Sequence, residues 1–480
     1  MIVHPHRWTA RSAAVFAPRL FTMLALLAGL LSVSATAVAQ PRQDGALIAR
    51  GRYLALAGDC TACHTIDPAK QMAGGEAVPT PFGAIYTANI TPDRATGIGS
   101  WSDDDFLSAM QRGVGKHGEH LYPAFPYASF TLLSREDTLA IKAYLFSLPP
   151  IQNVIPTNHL SFPFNQRWIL WGWKLFNLHD ARFQPDLTKS ADWNRGAYLV
   201  DALEHCGTCH TPRNLTMGLE QGQKLGGGAA GAWSAYNITP DKVGGIGGWS
   251  DEDVQSYLST GIAPGKARAA GPMAEAVEHS LSQLNQDDIR AIVTYVREQK
   301  PVSEGRAHEP RFTFGKPASY EAGLRGASGL TDSRTSASGE ELFSANCASC
   351  HGARGTGSTD GYFPSLLHNT AVGAPAANNL VMVILNGVHR RTPHGNAFMP
   401  GFSGLGDDEV VSLANYVETQ FGDPAARVTM DRVVSSRTNS GQSPPYLWIA
   451  IGITASSIVL LVAVLLALRR RRTFSGAVRH

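Results

Sequence analysis

Two long apolar runs bracket the chain. The first, Leu20 to Leu31, follows Arg7, Arg11 and Arg19 with no acid among them, and precedes the small-residue stretch Ala37-Val38-Ala39. Cation, apolar run and small-residue site in that order predict a secretory signal peptide over residues 1–39. The second run, Tyr446 to Leu468, holds 23 residues without a charge. At about 1.5 Å per residue it would extend roughly 35 Å, which predicts one membrane-crossing helix. Arg469 to Arg472 follow directly, and Tyr446 and Trp448 sit where interfacial anchors belong. The positive-inside rule then puts the 469–480 tail in the cytoplasm. The expected location is a bacterial inner membrane, crossed once, with the body of the chain in the periplasm.

Between these runs the pattern is helical and repeats. Asp137 to Tyr144, Asp288 to Tyr295 and Glu409 to Tyr416 share one seven-residue step, each with an apolar residue (Ile141, Ile292, Leu413) three places before the tyrosine. An acid near a helix start suits the macrodipole, and the tyrosine falls on the apolar face, so core packing suffices to explain it. Each of these closing helices has an opening partner upstream: Gly51-Arg52-Tyr53-Leu54, Gly196-Ala197-Tyr198-Leu199 and Gly339-Glu340-Glu341-Leu342-Phe343. The first two units repeat each other further. Asn89-Ile90-Thr91-Pro92-Asp93 returns as Asn237-Ile238-Thr239-Pro240-Asp241, and Trp101-Ser102-Asp103 as Trp249-Ser250-Asp251. Ser102 and Ser250, followed by acids, read as helix N-caps.

The predicted units are residues 40–150, 191–300 and 336–425. Residues 151–190 and 301–335 are linkers, and 426–445 is a polar spacer. The first linker holds Phe162, Phe164, Trp168, Trp171, Trp173 and Phe176. It reads either as a strap packed across the first two units or as a surface for a partner or lipid.

Charge changes the picture little. The formal net charge of +2 falls to −1 once the leader's arginines are removed, and to −6 for residues 40–468. Nothing in this points to nucleic acid, and a mildly acidic body could steer toward a basic partner.

The chemistry lies in the cysteines. There are six, and all fall in one pattern that occurs three times: Cys60-Thr61-Ala62-Cys63-His64, Cys206-Gly207-Thr208-Cys209-His210 and Cys347-Ala348-Ser349-Cys350-His351. This is the attachment signature of c-type haem, in which two thiols join the porphyrin vinyl groups and the adjacent histidine becomes the proximal iron ligand. A thioredoxin-like pair needs no neighbouring histidine. A zinc site needs two such pairs close together, and these lie more than a hundred residues apart. The expected cofactors are three covalently bound c-type haems, with His64, His210 and His351 as proximal ligands.

A haem that carries electrons usually takes a second axial ligand from the protein. Met399 lies 48 residues after His351, and Met273 lies 63 residues after His210, each shortly before its closing helix. Both are candidate distal ligands. The first unit has Phe125 at the equivalent place, 61 residues after His64, and phenylalanine cannot ligate iron. Met110 falls too early and Met72 sits in a Gly-rich loop near the motif. His120 is the candidate, with His117 in reserve; otherwise that iron is five-coordinate or water-bound.

With these motifs in hand, the chain resembles the triple-haem cytochrome c subunits of membrane-bound periplasmic dehydrogenases. The resemblance spans about Ala46 to Phe421. Besides the haem motifs it rests on Pro81-Phe82-Gly83, on Leu121-Tyr122-Pro123-Ala124, on Asn194-Arg195-Gly196-Ala197-Tyr198 and on His210-Thr211-Pro212-Arg213-Asn214. It implies an all-α fold of three tandem cytochrome c-like domains plus one C-terminal transmembrane helix, with Met273 and Met399 as distal ligands. It implies a catalytic partner of quinoprotein, flavoprotein or molybdenum type, and ubiquinone or a terminal oxidase as acceptor. Alcohol- and gluconate-type members carry methionine where this chain has Phe125, which looks more like the subunits that accompany molybdenum hydroxylases.

The sequence holds no nucleophile-and-base constellation, phosphate loop or dinucleotide fingerprint. The expected role is therefore electron transfer within an oxidoreductase complex, with no substrate-binding catalytic site. Two other readings stay open: a stand-alone shuttle to an oxidase, and a haem enzyme with an open position at the first iron.

Overall fold

The computed structural model describes residues 40–303, 309–319 and 337–438, with isolated positions 305 and 464. Its skeleton is a helix pair used three times. An opening helix packs against a closing helix in each unit: Gln40–Ala57 on Arg135–Ser147, Ala191–Tyr198 on Gln286–Arg297, and Gly339–Asn346 on Asp407–Phe421. Glycine makes the crossing close. A Cβ at Gly51 would lie 1.8 Å from the Ala140 carbonyl oxygen, and one at Gly196 would lie 1.9 Å from that of Ala291. No other residue permits that approach without moving a helix. Ser134 and Asn285 cap two of the closing helices by accepting from the N3 backbone N–H. Ser102 and Ser250 do the same for helices Asp103–Arg112 and Asp251–Thr260, each in a full capping box.

The expectation of an all-α chain ending in a membrane helix is corrected. Nine short strands form four small antiparallel sheets among the described residues. They are two to five residues long, too short for an alternating pattern to register against the surrounding loops. No described helix is long and apolar enough to cross a membrane. The longest, Gln40–Ala57, carries Arg50 and Arg52. The expected membrane span at 446–468, the leader and the tail all lie outside the described residues, apart from the single position 464. Within the expected spacer, Met430–Arg437 is helical and buries Val433.

The first two units share one continuous core, whereas the third has its own. Their junction has a pseudo-twofold pattern. Asp137 accepts from Arg50 of its own unit and from the Tyr198 hydroxyl of the second unit, both at 2.6 Å. Asp288 accepts from Arg195 of its own unit at 2.7 Å and from the Tyr53 hydroxyl of the first unit at 2.6 Å. Equivalent residues thus exchange equivalent bonds, as at an isologous dimer contact. Burial alone would push Asp288 up, but the bonds from Arg195 and Tyr53 hold its carboxyl below the usual range.

The aromatic linker packs across both units. His159–Leu160 adds a strand to Gly83–Tyr86, the Tyr122 hydroxyl donates to the Phe164 carbonyl, and Asn177 accepts from Asn214 and Thr216. Trp168, Trp171 and Phe176 remain exposed.

Candidate functional site

Each Cys-x-x-Cys-His motif forms a short helical turn after the opening helix, over Cys60–His64, Gly207–His210 and Ala348–His351. In all three the histidine Nδ1 meets a backbone carbonyl oxygen: Ala88 at 2.7 Å, Tyr236 at 2.6 Å and Pro364 at 2.9 Å. A carbonyl can only accept, so Nδ1 carries the proton and Nε2 keeps a free lone pair. That is the tautomer an iron-ligating histidine needs, and the carbonyl fixes the ring's orientation. Burial lowers the pKa of each ring, favouring the neutral form.

The repeated Asn-Ile-Thr-Pro-Asp segment explains how two of those carbonyls are positioned. Asn89 and Asn237 are buried, and the side-chain oxygen of each accepts from the backbone N–H and hydroxyl of the threonine two residues on. Their amide groups donate to the carbonyls of Ile151 and Val302, beyond the closing helices. The loop is thereby locked with Ala88 or Tyr236, the preceding residue, facing the histidine. In the sequence this segment is legible as a repeat, and its orienting role is not.

Cys60, Cys63, Cys206, Cys209 and Cys347 are held as neutral thiols. Burial pushes the Cys60 and Cys63 thiols up to about 12 and Cys347 to about 11, and raises Cys206 further. Reactive thiols sit in electropositive surroundings that lower the pKa. None of the six is in a disulfide.

A cavity of about 1620 Å³ runs between the second and third units and reaches the first. Cys206, Cys209 and His210 line it together with Met273, and Cys350 and His351 line it together with Met399. Met273 sits at the start of helix Pro272–His279, and Met399 ends a β-hairpin in which it pairs with Val388. From the first unit, Cys63 reaches the same wall. Thiol pair, oriented imidazole and roomy cavity fit a covalently bound haem. Four acids line it as well, Asp59, Glu76, Glu204 and Glu275. Burial raises Asp59 and Glu204 well above the carboxylate range, and Glu204 accepts from Ser280 at 2.9 Å.

The first unit differs in its distal side. Phe125 packs with Tyr127 and Phe130 in the core. Met72 is buried at φ 62°, and its counterpart in the second unit, Leu225, is buried at φ 59°. Both backbone N–H groups donate at 3.0 Å to the threonine after the motif histidine. A leucine in the same setting marks Met72 as a packing residue. His120 pairs with Val114 in a β-bridge and does not line the cavity. The Lys174 ammonium donates to its Nδ1 at 3.0 Å, so the ring proton sits on Nε2, opposite to the three motif histidines. His117 is exposed.

The sequence pattern of the cytochrome c family matches residues 48–149 and 336–421. The chain is 42% identical over 408 residues to the fructose dehydrogenase cytochrome subunit of Gluconobacter japonicus, covering 83% of this chain and 84% of that protein. It is 36% identical over 437 residues to the gluconate 2-dehydrogenase cytochrome c subunit of Pantoea cypripedii, covering 87% of this chain and 95% of that protein. It is 39% identical over 411 residues to a nicotinate dehydrogenase subunit of Pseudomonas putida, covering 83% of this chain but 32% of that longer protein.

Proposed function

This chain belongs to the family of cytochrome c subunits of dehydrogenases, and on that premise we propose that it carries electrons from a dehydrogenase catalytic subunit to ubiquinone or a terminal oxidase. The donor enzyme acts on an alcohol or sugar-acid CH–OH group or an N-heterocycle, substrates of the kind in the names of its relatives, or on an aldehyde. Haem supplies one-electron chemistry when bound, at a potential set by its axial ligands and surroundings. We assign three: Cys60 and Cys63, Cys206 and Cys209, and Cys347 and Cys350 tether them. His64, His210 and His351 present Nε2 from one side, and Met273 and Met399 offer thioether sulphur to the second and third. The haem-bearing body is assigned to the periplasm, because c-type haem is attached outside the cytoplasm.

The observation that carries this reading is the threefold use of one device, a motif histidine whose Nδ1 proton is held by a backbone carbonyl. Native purification from the host's cell envelope is expected to bring a dehydrogenase catalytic subunit along, and its substrate should then reduce the haem bands. A haem-loaded chain that emerges alone, with only oxidase genes beside its own, would instead favour a stand-alone shuttle.

A second reading applies to the first iron. Phe125 at the methionine position, Met72 in a leucine-type packing site and the His120 tautomer support an iron with no distal ligand from these three side chains. Carbon monoxide added to the reduced protein should therefore bind at one haem per chain. Optical titration with no bound fraction would mean that a protein group closes that site.

A further inference from the structure

Arg390 is almost wholly buried, with 1% of its surface exposed. It lies on strand Val388–Thr392 of the third unit, opposite Ala397. Its side chain crosses to the second unit, where Nη1 donates to the Ala269 carbonyl at 2.7 Å. Among the described residues Nε has no partner, and no carboxylate pairs with the guanidinium. Glu278, across the boundary in the second unit, is occupied: it accepts from the Arg391 backbone N–H at 2.8 Å. A second cation, Arg268 of the second unit, lines the same cavity and gives one of its bonds to the Gly361 carbonyl of the third unit. Two guanidiniums thus face one cavity wall, and their acceptors among the described residues are backbone carbonyls.

Glu278 is near enough to favour the Arg390 charge but makes no ion pair with it among the described residues. A buried cation without a directly bonded counter-ion is costly, so Arg390, with the half-buried Arg268 beside it, calls for an anion in the space it faces. That space is lined by His210, Met273, His351 and Met399. Haem carries two propionate carboxylates, and guanidinium is the side chain that best matches carboxylate geometry. We propose that Arg390, with Arg268 beside it, binds a propionate of a haem seated in this cavity, clamps the second and third units through that cofactor, and raises the haem's reduction potential. The sign follows from charge: a fixed cation near the iron favours the reduced form, which is one unit less positive. Arg390 is a positioning and tuning residue, distinct from the axial ligands. The proposal rests on the haem reading above.

Potentiometric titration of the Arg390→Gln variant tests it. One of the haem transitions should fall by about 59 mV, a tenfold loss in its reduced-to-oxidised ratio. The haem count by mass and the low-spin bands should be unchanged. Arg390→Lys, which keeps the charge but not the fork, should recover part of the shift. If Arg390→Gln fails to accumulate, Arg268→Gln decides, with a fall of the same sign expected. Potentials equal to the parent's in the variant that accumulates would overturn the proposal. So would a parent potential that moves with added acetate, since the pair would then hold a solution anion. A parent without covalent haem would sink the haem reading itself, which is a separate failure visible before any variant is made.

Discussion

Replacing both Cys206 and Cys209 by alanine is expected to leave two covalently bound haems per chain. The argument is local. The second unit's thiols stand together, Cys206 at the N-cap of the turn Gly207–His210 and Cys209 within it, with their own histidine and their own carbonyl at Tyr236. The other two motifs share none of these atoms. Intact mass should drop by one haem, and the Soret band should fall by about a third, since covalent porphyrins absorb in proportion to their number. The cost should extend beyond the count. The second haem site borders the core shared with the first unit, so the thermal midpoint should fall as well, because a cofactor bound only to the folded state stabilises it. Retention of all three haems would remove that motif from the assignment.

Converting Met399 to alanine should leave the haem count intact and change one iron. Met399 ends the hairpin Val388–Thr392 with Gly395–Met399 and lines the cavity with His351. The strand pairing fixes its backbone independently of the side chain, so truncation removes the thioether without dismantling the loop. One haem should pass from low to high spin. Its potential should fall by on the order of 0.1 V, because thioether sulphur favours the reduced iron and axial ligation spans about 0.8 V overall. Electron paramagnetic resonance with potentiometry reads both effects. An unchanged spectrum would return Met399 to the role of a packing residue.

What the sequence discloses and what it hides divide on physical grounds. The cysteines and motif histidines are legible because covalent attachment needs its groups within five consecutive residues. The helix pairs are legible because apolar periodicity and caps such as Ser102 and Ser250 are local signals. The strands are not, since hairpins of two to five residues carry no period.

Tertiary partnerships are also invisible in the sequence. Asn89 and Asn237 read as repeat markers, and only the folded loops show them setting the carbonyls of Ala88 and Tyr236 against the histidines. Packing alone suffices for Tyr295 on its helix face, yet its hydroxyl also donates to Asp201 at 2.6 Å. The crossed bonds of Tyr53 and Tyr198 depend on how two units meet. Nor does His389-Arg390-Arg391 reveal which arginine turns inward: Arg390 is buried and Arg391 is exposed. The distal side of the first unit is the instructive case. His120 is singled out by its distance along the chain, and its contact with Lys174, 54 residues further on, appears only in the fold.

The proposed electron path depends on iron porphyrin tethered at three places along one polypeptide. The most direct measurement is the intact mass of the mature protein, expressed in a host with the haem-attachment machinery and read beside its haem absorbance. The account predicts the processed polypeptide plus three haems, with a strong Soret band that survives denaturation. A mass equal to the bare polypeptide, with no Soret absorbance, would contradict it.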